Sequence, residues 1–404
     1  MASKKFRKGI ICGVGLCACF CFSSLAFGAS IQGLGFGTFP GDDPYPGAVR
    51  VSGDGSTVIG TVYWFDNPSV IPSQGFRWTQ TDGFQWMGYL PSYGVPSSGL
   101  PFGELRTVNY DGSVIIGSDR EGYYRWTATG GKEMLYIEPT GVSAWVLAFS
   151  GDGSTAIGIS NIVEHGRTSE PFRWTQADGM QRLMDTSWGM DSEPLVVNYD
   201  GSVIAGIYPH TVDWGVDGAS PQVTWGIFRW TSENGTERFG PLPDGVTPNL
   251  AAISADGSTI IGRIYGQDYY SDAFCWTPDD GIQLLGDKPD WALSSSASWV
   301  SADGSTIFGY WDDGESFVRS FIWDQEHGAR DLLDVLKQDY HLDWTGWEQL
   351  RVLDISADGN TFVGLGINPA GQQEFWMATI SEPSTISLLA LASLGLLRRK
   401  GRAR

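Results

Sequence analysis

Seven Asp-Gly pairs, spaced roughly every 50 residues, each have a glycine six residues after the Asp, and in six of the seven units an aromatic pair spaced by two follows. Together these predict an all-β chain folded as a seven-bladed β-propeller of four-stranded blades. The anchoring positions are Asp54 and Gly60, Asp111 and Gly117, Asp152 and Gly158, Asp200 and Gly206, Asp256 and Gly262, Asp303 and Gly309, and Asp358 and Gly364. A Trp follows each, at Trp78, Trp126, Trp174, Trp230, Trp276, Trp323 and Trp376, so the repeat is about 50 residues long, the size of a propeller blade.

Within a unit, an extended segment such as 251–254 and an apolar run such as 259–261 flank the Asp-Gly, which predicts two strands joined by a tight hairpin. The third strand carries the aromatic pair, for example Phe76 and Trp78 or Phe274 and Trp276, and a spacing of two puts both side chains on one face. A second turn, such as Asp82-Gly83 or Asn234-Gly235, leads into a fourth strand such as 283–286. The seventh unit stops after its third strand, 374–380, whereas residues 31–35 read as a fourth strand without a unit. The N-terminal strand is therefore expected to complete the last blade and close the ring, leaving no orphan sheet edge. Leu332, Leu333, Val335, Leu336 and Tyr340 predict a short amphipathic helix within 331–343, as decoration of the ring.

The two ends have different compositions. Lys4, Lys5, Arg7 and Lys8 precede an apolar run over 10–22 and a small-residue exit, so residues 1–28 are expected to be a secretory signal peptide cleaved after Gly28. Four of the five cysteines lie there, leaving Cys275 alone and no intrachain disulfide in the exported part. At the other end, residues 381–404 comprise Glu382, Pro383, Ser384 and Thr385, an apolar run over 386–397, and a basic end with Arg398, Arg399 and Lys400. Twelve apolar residues make about 18 Å of helix, short of the ~30 Å hydrocarbon core without help from flanking residues or a thinned bilayer. The basic end favours the cytoplasmic side, leaving residues 29–380, the propeller, outside.

This tail resembles the PEP-CTERM sorting signal, with Ser381 where that family has its first Pro; a similar tail also goes under the description of ice-binding protein C-termini. The resemblance implies export through the inner membrane of a Gram-negative-type bacterium, with an exosortase-type processing enzyme as partner. The repeats, in segments such as 252–262 and 273–286, resemble the HAF-repeat extracellular proteins, although no unit contains His-Ala-Phe. That resemblance implies an extracellular repeat protein and carries over no catalytic residue.

Residues 29–381 hold 17 Lys and Arg against 45 Asp and Glu, a net charge of −28 that disfavours nucleic acid and anionic lipid as partners of the folded part. Each Asp-Gly turn offers one carboxylate, fewer than calcium needs, so the seven Asp are read as turn residues. Arg77, Arg125, Arg173 and Arg229 fall between the paired aromatics and are expected to pair with acids between blades. The four histidines, His165, His210, His327 and His341, have no ligand-like spacing. No catalytic, cofactor or metal residue is assigned. The interval from the register Gly to the Trp varies between 9 and 24 residues. Loops of that second-to-third-strand type share a rim with the links between blades, and variable loops are where binding concentrates. Tyr63, Trp64, Trp214, Trp225, Tyr269, Tyr270 and Trp311 are the candidate ligand-face aromatics. The expected function is a non-enzymatic surface or matrix protein whose propeller binds polysaccharide or surface proteins, with membrane contact only through the tail. The alternative is a secreted carbohydrate-active hydrolase or lyase with an acidic site on the variable-loop face.

Overall fold

The computed structural model describes residues 30–35, 44–64, 73–90, 105–119, 122–137, 143–161, 170–184, 192–213, 222–242, 245–266, 270–286, 288–315 and 318–380. The expected signal peptide and the tail at 381–404 lie outside them. Seven four-stranded antiparallel sheets form a seven-bladed β-propeller, with one short helix among the described residues. Blade five shows the plan: Thr247–Ile253, Ile260–Tyr265, Ser271–Thr277 and Gly281–Leu284 pair in sequence order, the first innermost and the last at the outer edge.

The seventh blade is built from both ends of the domain. Glu348–Ile355, Thr361–Ile367 and Gln373–Thr379 supply three strands, and Ser30–Gly33 adds the fourth, with Ser30 opposite Thr379 and Gly33 opposite Trp376. The ring is therefore closed by hydrogen bonds between the N-terminal strand and the last strand, as the sequence predicts.

The glycine six residues after each Asp marks a close approach of three strands. In blade six, Gly309 faces Ala297 on the first strand and Phe321 on the third. A Cβ there would lie 2.1 Å from the Ser296 carbonyl oxygen and 2.5 Å from the Phe321 ring. Gly206 and Gly364 are crowded in the same way, by Glu193 O and Phe228 and by Arg351 O and Trp376. The first strand bulges beside this glycine, as between Ala297 and Trp299 and between Leu250 and Ala252, and that bulge presses its carbonyl inward. The Phe residues that cover these glycines, Phe76, Phe172, Phe228, Phe274 and Phe321, are all but fully buried and form the repeating core.

Register also corrects the alignment of the last blade. Trp376 stands opposite Gly364, the place Phe76 takes opposite Gly60, while Ala378 occupies the position of Trp78. The seventh Trp thus fills the Phe position, and the Trp position of blade seven holds alanine.

The Asp-Gly turns are closed by their own side chains. In blade six Asp303 Oδ1 accepts from the Ser301 hydroxyl at 2.6 Å and the Ser305 backbone N–H at 3.1 Å, and Ser301 Oγ accepts the Thr306 N–H at 3.0 Å. The relay recurs at Asp54, Asp152, Asp256 and Asp358, with Asn109 and Asn198 replacing the first Ser in blades two and four. Neighbouring turns are linked by backbone bonds, as from Ala255 N to Ala302 O, Ala302 N to Ala357 O and Asp358 N to Gly53 O. Gly201, at φ 72°, packs onto Thr155 of the preceding blade, so this turn glycine is required both by its backbone conformation and by space.

Candidate binding site

The helix, Leu332–Gln338, departs from the repeat and shapes the junction of blades six and seven. Asp331 caps it by accepting from the Asp334 N–H at 3.1 Å; Leu332, Val335 and Leu336 are buried, Leu332 and Leu336 in one cluster with Phe308, Val352 and Phe362. It is a wedge between two blades, with a cleft on either side.

The cleft on the variable-loop side has a volume of about 670 Å³, within the usual range for ligand sites. Trp299 and Tyr310 give it aromatic surface, and Arg319, Asp331, Gln349 and Arg351 give it planar polar groups. Arg319 pairs with Asp331 at 2.9 Å, which orients the guanidinium while leaving it about half exposed. Gln349 has φ 51°, one of two non-glycine residues with positive φ among the described residues, in a strand irregularity between Glu348 and Arg351. Strained backbone of this kind concentrates at ligand sites.

The Trp299 ring is fixed from behind. Its indole N–H donates to Asp354 Oδ1 at 2.5 Å, and Asp354 Oδ2 accepts the Val51 N–H at 2.8 Å. One buried carboxylate thereby joins the innermost strands of blades six, seven and one at the closure point of the ring. Burial pushes the Asp354 pKa up, and the nearby Arg50 charge with these donors only partly offsets it.

The other cleft, about 580 Å³, opens on the Asp-Gly rim. There Asp324 holds the His327 ring at 2.8 Å and Arg330 at 2.9 Å, and Arg330 reaches Asp339 at 3.5 Å. Burial raises the Asp324 pKa, but the His327 hydrogen bonds and the Arg330 charge outweigh it and hold the carboxyl below its ordinary range. These groups neutralise one another. Among the described residues no cluster of His, Cys, Asp or Glu could hold a metal ion.

Of the aromatic candidates, Tyr270 is 42% exposed on the variable-loop side. Trp225 is half-buried against the cluster around Phe274, and Trp311 is 5% exposed, packed on Phe321 at 5.2 Å. Trp311 is thus a core residue, because it packs between blades five and six in a buried cluster with Ala273, Leu285 and Ala292. Tyr63 and Trp64 end the second strand of blade one, Thr57–Trp64, with side chains outside the described set; Trp214 and Tyr269 lie outside the described residues. Trp291 and Leu293, in the link to blade six, join Tyr270 on this side, 37% and 40% exposed. Lys288 ties that region together, donating to Asp272 at 2.7 Å and to the Leu293 carbonyl at 2.8 Å.

The expected arginine pairs form inside blades rather than between them. Arg77 meets Asp82 at 3.2 Å, Arg173 meets Asp178 at 3.7 Å and Arg229 meets Glu237 at 3.8 Å. What crosses the blade boundary is the guanidinium face, with Arg173 5.4 Å from the Trp230 ring of the next blade. Cys275, in the same sequence slot, is buried, and burial raises its pKa, as suits a packed thiol.

The groove residues Trp299, Tyr310, Arg319, Asp331, Gln349 and Arg351 were not among the sequence candidates, because they sit on strands of two blades rather than in long loops. The helical insertion after blade six was the available signal.

No protein-family model matches the chain, and no curated protein is recognisably similar to it. Among solved structures it is similar to the propeller domain of the Trilobed protease from Pyrococcus furiosus, described as having an open velcro topology. Identity is 12% and the TM-score 0.53, over 83% of this chain and 95% of that one. It is also similar to an acylaminoacyl peptidase from Pyrococcus horikoshii, at 11% identity and TM-score 0.51, and to a puromycin hydrolase, at 13% and 0.51. The match covers 83% and 88% of this chain but only 50% and 58% of those two. At such identities the likeness speaks for the fold alone: the chain shares the β-propeller architecture of these domains, with its own ring closed by an N-terminal strand.

Proposed function

We propose that the chain is an exported, non-enzymatic binding module that takes a polysaccharide through the variable-loop side of blades five to seven. The observation that carries this reading is the groove beside the helix, where an anchored Trp and a Tyr stand among Arg, Asp and Gln side chains. Aromatic faces stack on sugar rings, and planar polar groups bond to their hydroxyls. Tyr270, Trp291 and Leu293 extend apolar surface beyond the groove.

The hydrolase alternative needs a catalytic carboxylate pair, one member with a raised pKa. Asp354 is raised, but both its oxygens are engaged by the Val51 and Trp299 donors, which suits a structural clasp. Co-sedimentation of the purified chain with the producing cell's matrix polysaccharide tests the proposal. Retention that falls several-fold in Arg319→Ala and Tyr310→Ala, with polymer length unchanged, is expected. No retention sinks the polysaccharide reading, and shortening of the polymer revives the enzyme.

A further inference from the structure

We propose that the Asp-Gly rim is the side of the propeller that faces the membrane, and that the groove rim is held away from it. The proposal rests on the reading of residues 381–404 as a membrane-inserted tail.

Both ends of the ring leave from the same rim. Ser30 pairs with Thr379, and the Ile380 N–H donates to the Asn360 carbonyl, in the Asp-Gly turn of blade seven, at 2.8 Å. The N-terminal strand therefore starts, and the last strand ends, at the Asp-Gly side. From Ile380 to Ile386, where the apolar run begins, are six Cα steps, which span about 22 Å when fully extended.

That length decides between the two orientations. The last strand, Gln373–Thr379, makes six rises of about 3.3 Å, so it separates the rims by about 20 Å before any loop is counted, nearly the whole length of the linker. A linker of about 22 Å cannot climb the blade, clear the variable loops and still enter a bilayer on that side. From the Asp-Gly rim it reaches the bilayer directly. The shapes of the rims agree, since the Asp-Gly turns are short and alike while loops of unequal length occupy the other side.

Charge sets how close the rim comes. Asp54, Asp111, Asp152, Asp200, Asp256, Asp303 and Asp358 ring this side, and they repel anionic headgroups over a screening length of about 8 Å at physiological salt. The linker is long enough for the rim to stand off by that distance. The rim is thus tethered over the lipid surface without insertion, and the groove is presented outward to extracellular polymer.

Energy transfer to headgroup-labelled lipid tests this. The signal-free chain, with its tail and with Cys275→Ala, is reconstituted into phosphatidylethanolamine vesicles containing phosphatidylglycerol. One donor dye is attached through Ser56→Cys on the Asp-Gly rim or Glu315→Cys on the groove rim, both exposed positions. The expected result is flotation with the vesicles and transfer at least about threefold stronger from position 56, rising further with salt as the repulsion is screened. Flotation with equal or stronger transfer from position 315 overturns the orientation alone. Failure to float overturns the tail reading and the orientation with it. Intrinsic tryptophan fluorescence matching the unsubstituted chain confirms that both variants are folded.

Discussion

The two rims of this propeller are made from the same seven repeats and do opposite things. On the Asp-Gly rim each carboxylate is engaged by the Ser hydroxyl and backbone N–H of its own turn, and the turns are bonded to one another round much of the ring. On the other rim the loops differ in length, a helix wedges two blades apart, and aromatic and charged side chains line the resulting groove. Uniformity on one side gives the ring its rigidity. Irregularity on the other gives it surface to recognise something.

The strongest way to break this division is to attack the shared scaffold beneath both rims. Gly309→Ala places a Cβ 2.1 Å from the Ser296 carbonyl, so strand displacement is unavoidable. A loss of about 3 kcal/mol or more in urea unfolding is expected. Gly83→Ala is the control, with φ 66° but nothing within 4 Å, and should cost only about 1 kcal/mol.

Asp354→Asn strikes the closure point. A carboxamide oxygen can accept from Val51 or from Trp299 but its NH₂ faces the other donor, so about 1–3 kcal/mol is expected to be lost. Its pH dependence has a definite sign. The folded pKa of Asp354 is raised above the ordinary 3.8, so its contribution is fullest below that value and declines as pH rises through the folded pKa. The stability gap between the unsubstituted chain and Asp354→Asn should therefore narrow from pH 3.5 upward.

Asp303→Ala tests the uniform rim and should cost about 1–2 kcal/mol, the net value of the turn bonds it makes. Here the sign reverses. Hydrogen bonds, that from Ser301 foremost, hold Asp303 below 3.8, and Asp111 and Asp200 are lowered chiefly by Ser113 and Ser202. Their stabilisation is present above about pH 4 and is lost as pH falls through the folded values, so Asp303→Ala should flatten the acid limb of a pH-unfolding profile.

The smallest effect on stability is expected at Tyr270→Ala, about 0.5–1 kcal/mol, because 42% of the residue is open to solvent. Under the binding proposal the same change weakens polysaccharide retention several-fold, so stability and retention should separate here and nowhere on the Asp-Gly rim.

The blade plan was legible because its requirements are local. An Asp-Gly hairpin, a glycine under a bulge and a Phe over that glycine each need a particular residue at a fixed spacing, and each leaves a periodic mark. The missing fourth strand of the last unit and the surplus strand at residue 31 announced ring closure for the same reason. Trp376 aligns in sequence with the other repeat Trp residues although it fills the Phe position, because a Trp can cover Gly364 as a Phe does and only strand pairing tells the two positions apart. Trp311 reads as a surface aromatic in the sequence because its burial depends on the blade beside it. The arginines follow the same logic: their acidic partners lie on the neighbouring turn or strand of the same blade, a choice set by side-chain reach.

By itself, then, the sequence determined the number of blades, their strand order, the way the ring closes and the division into a uniform and a variable rim, because hairpin chemistry and steric exclusion at glycine act over a few residues. Only the tertiary structure decided where the groove lies, that Asp354 clasps three blades, and that both chain ends leave from the Asp-Gly side. Those features depend on the packing of blades six, seven and one against each other, between residues some fifty to three hundred positions apart in the chain.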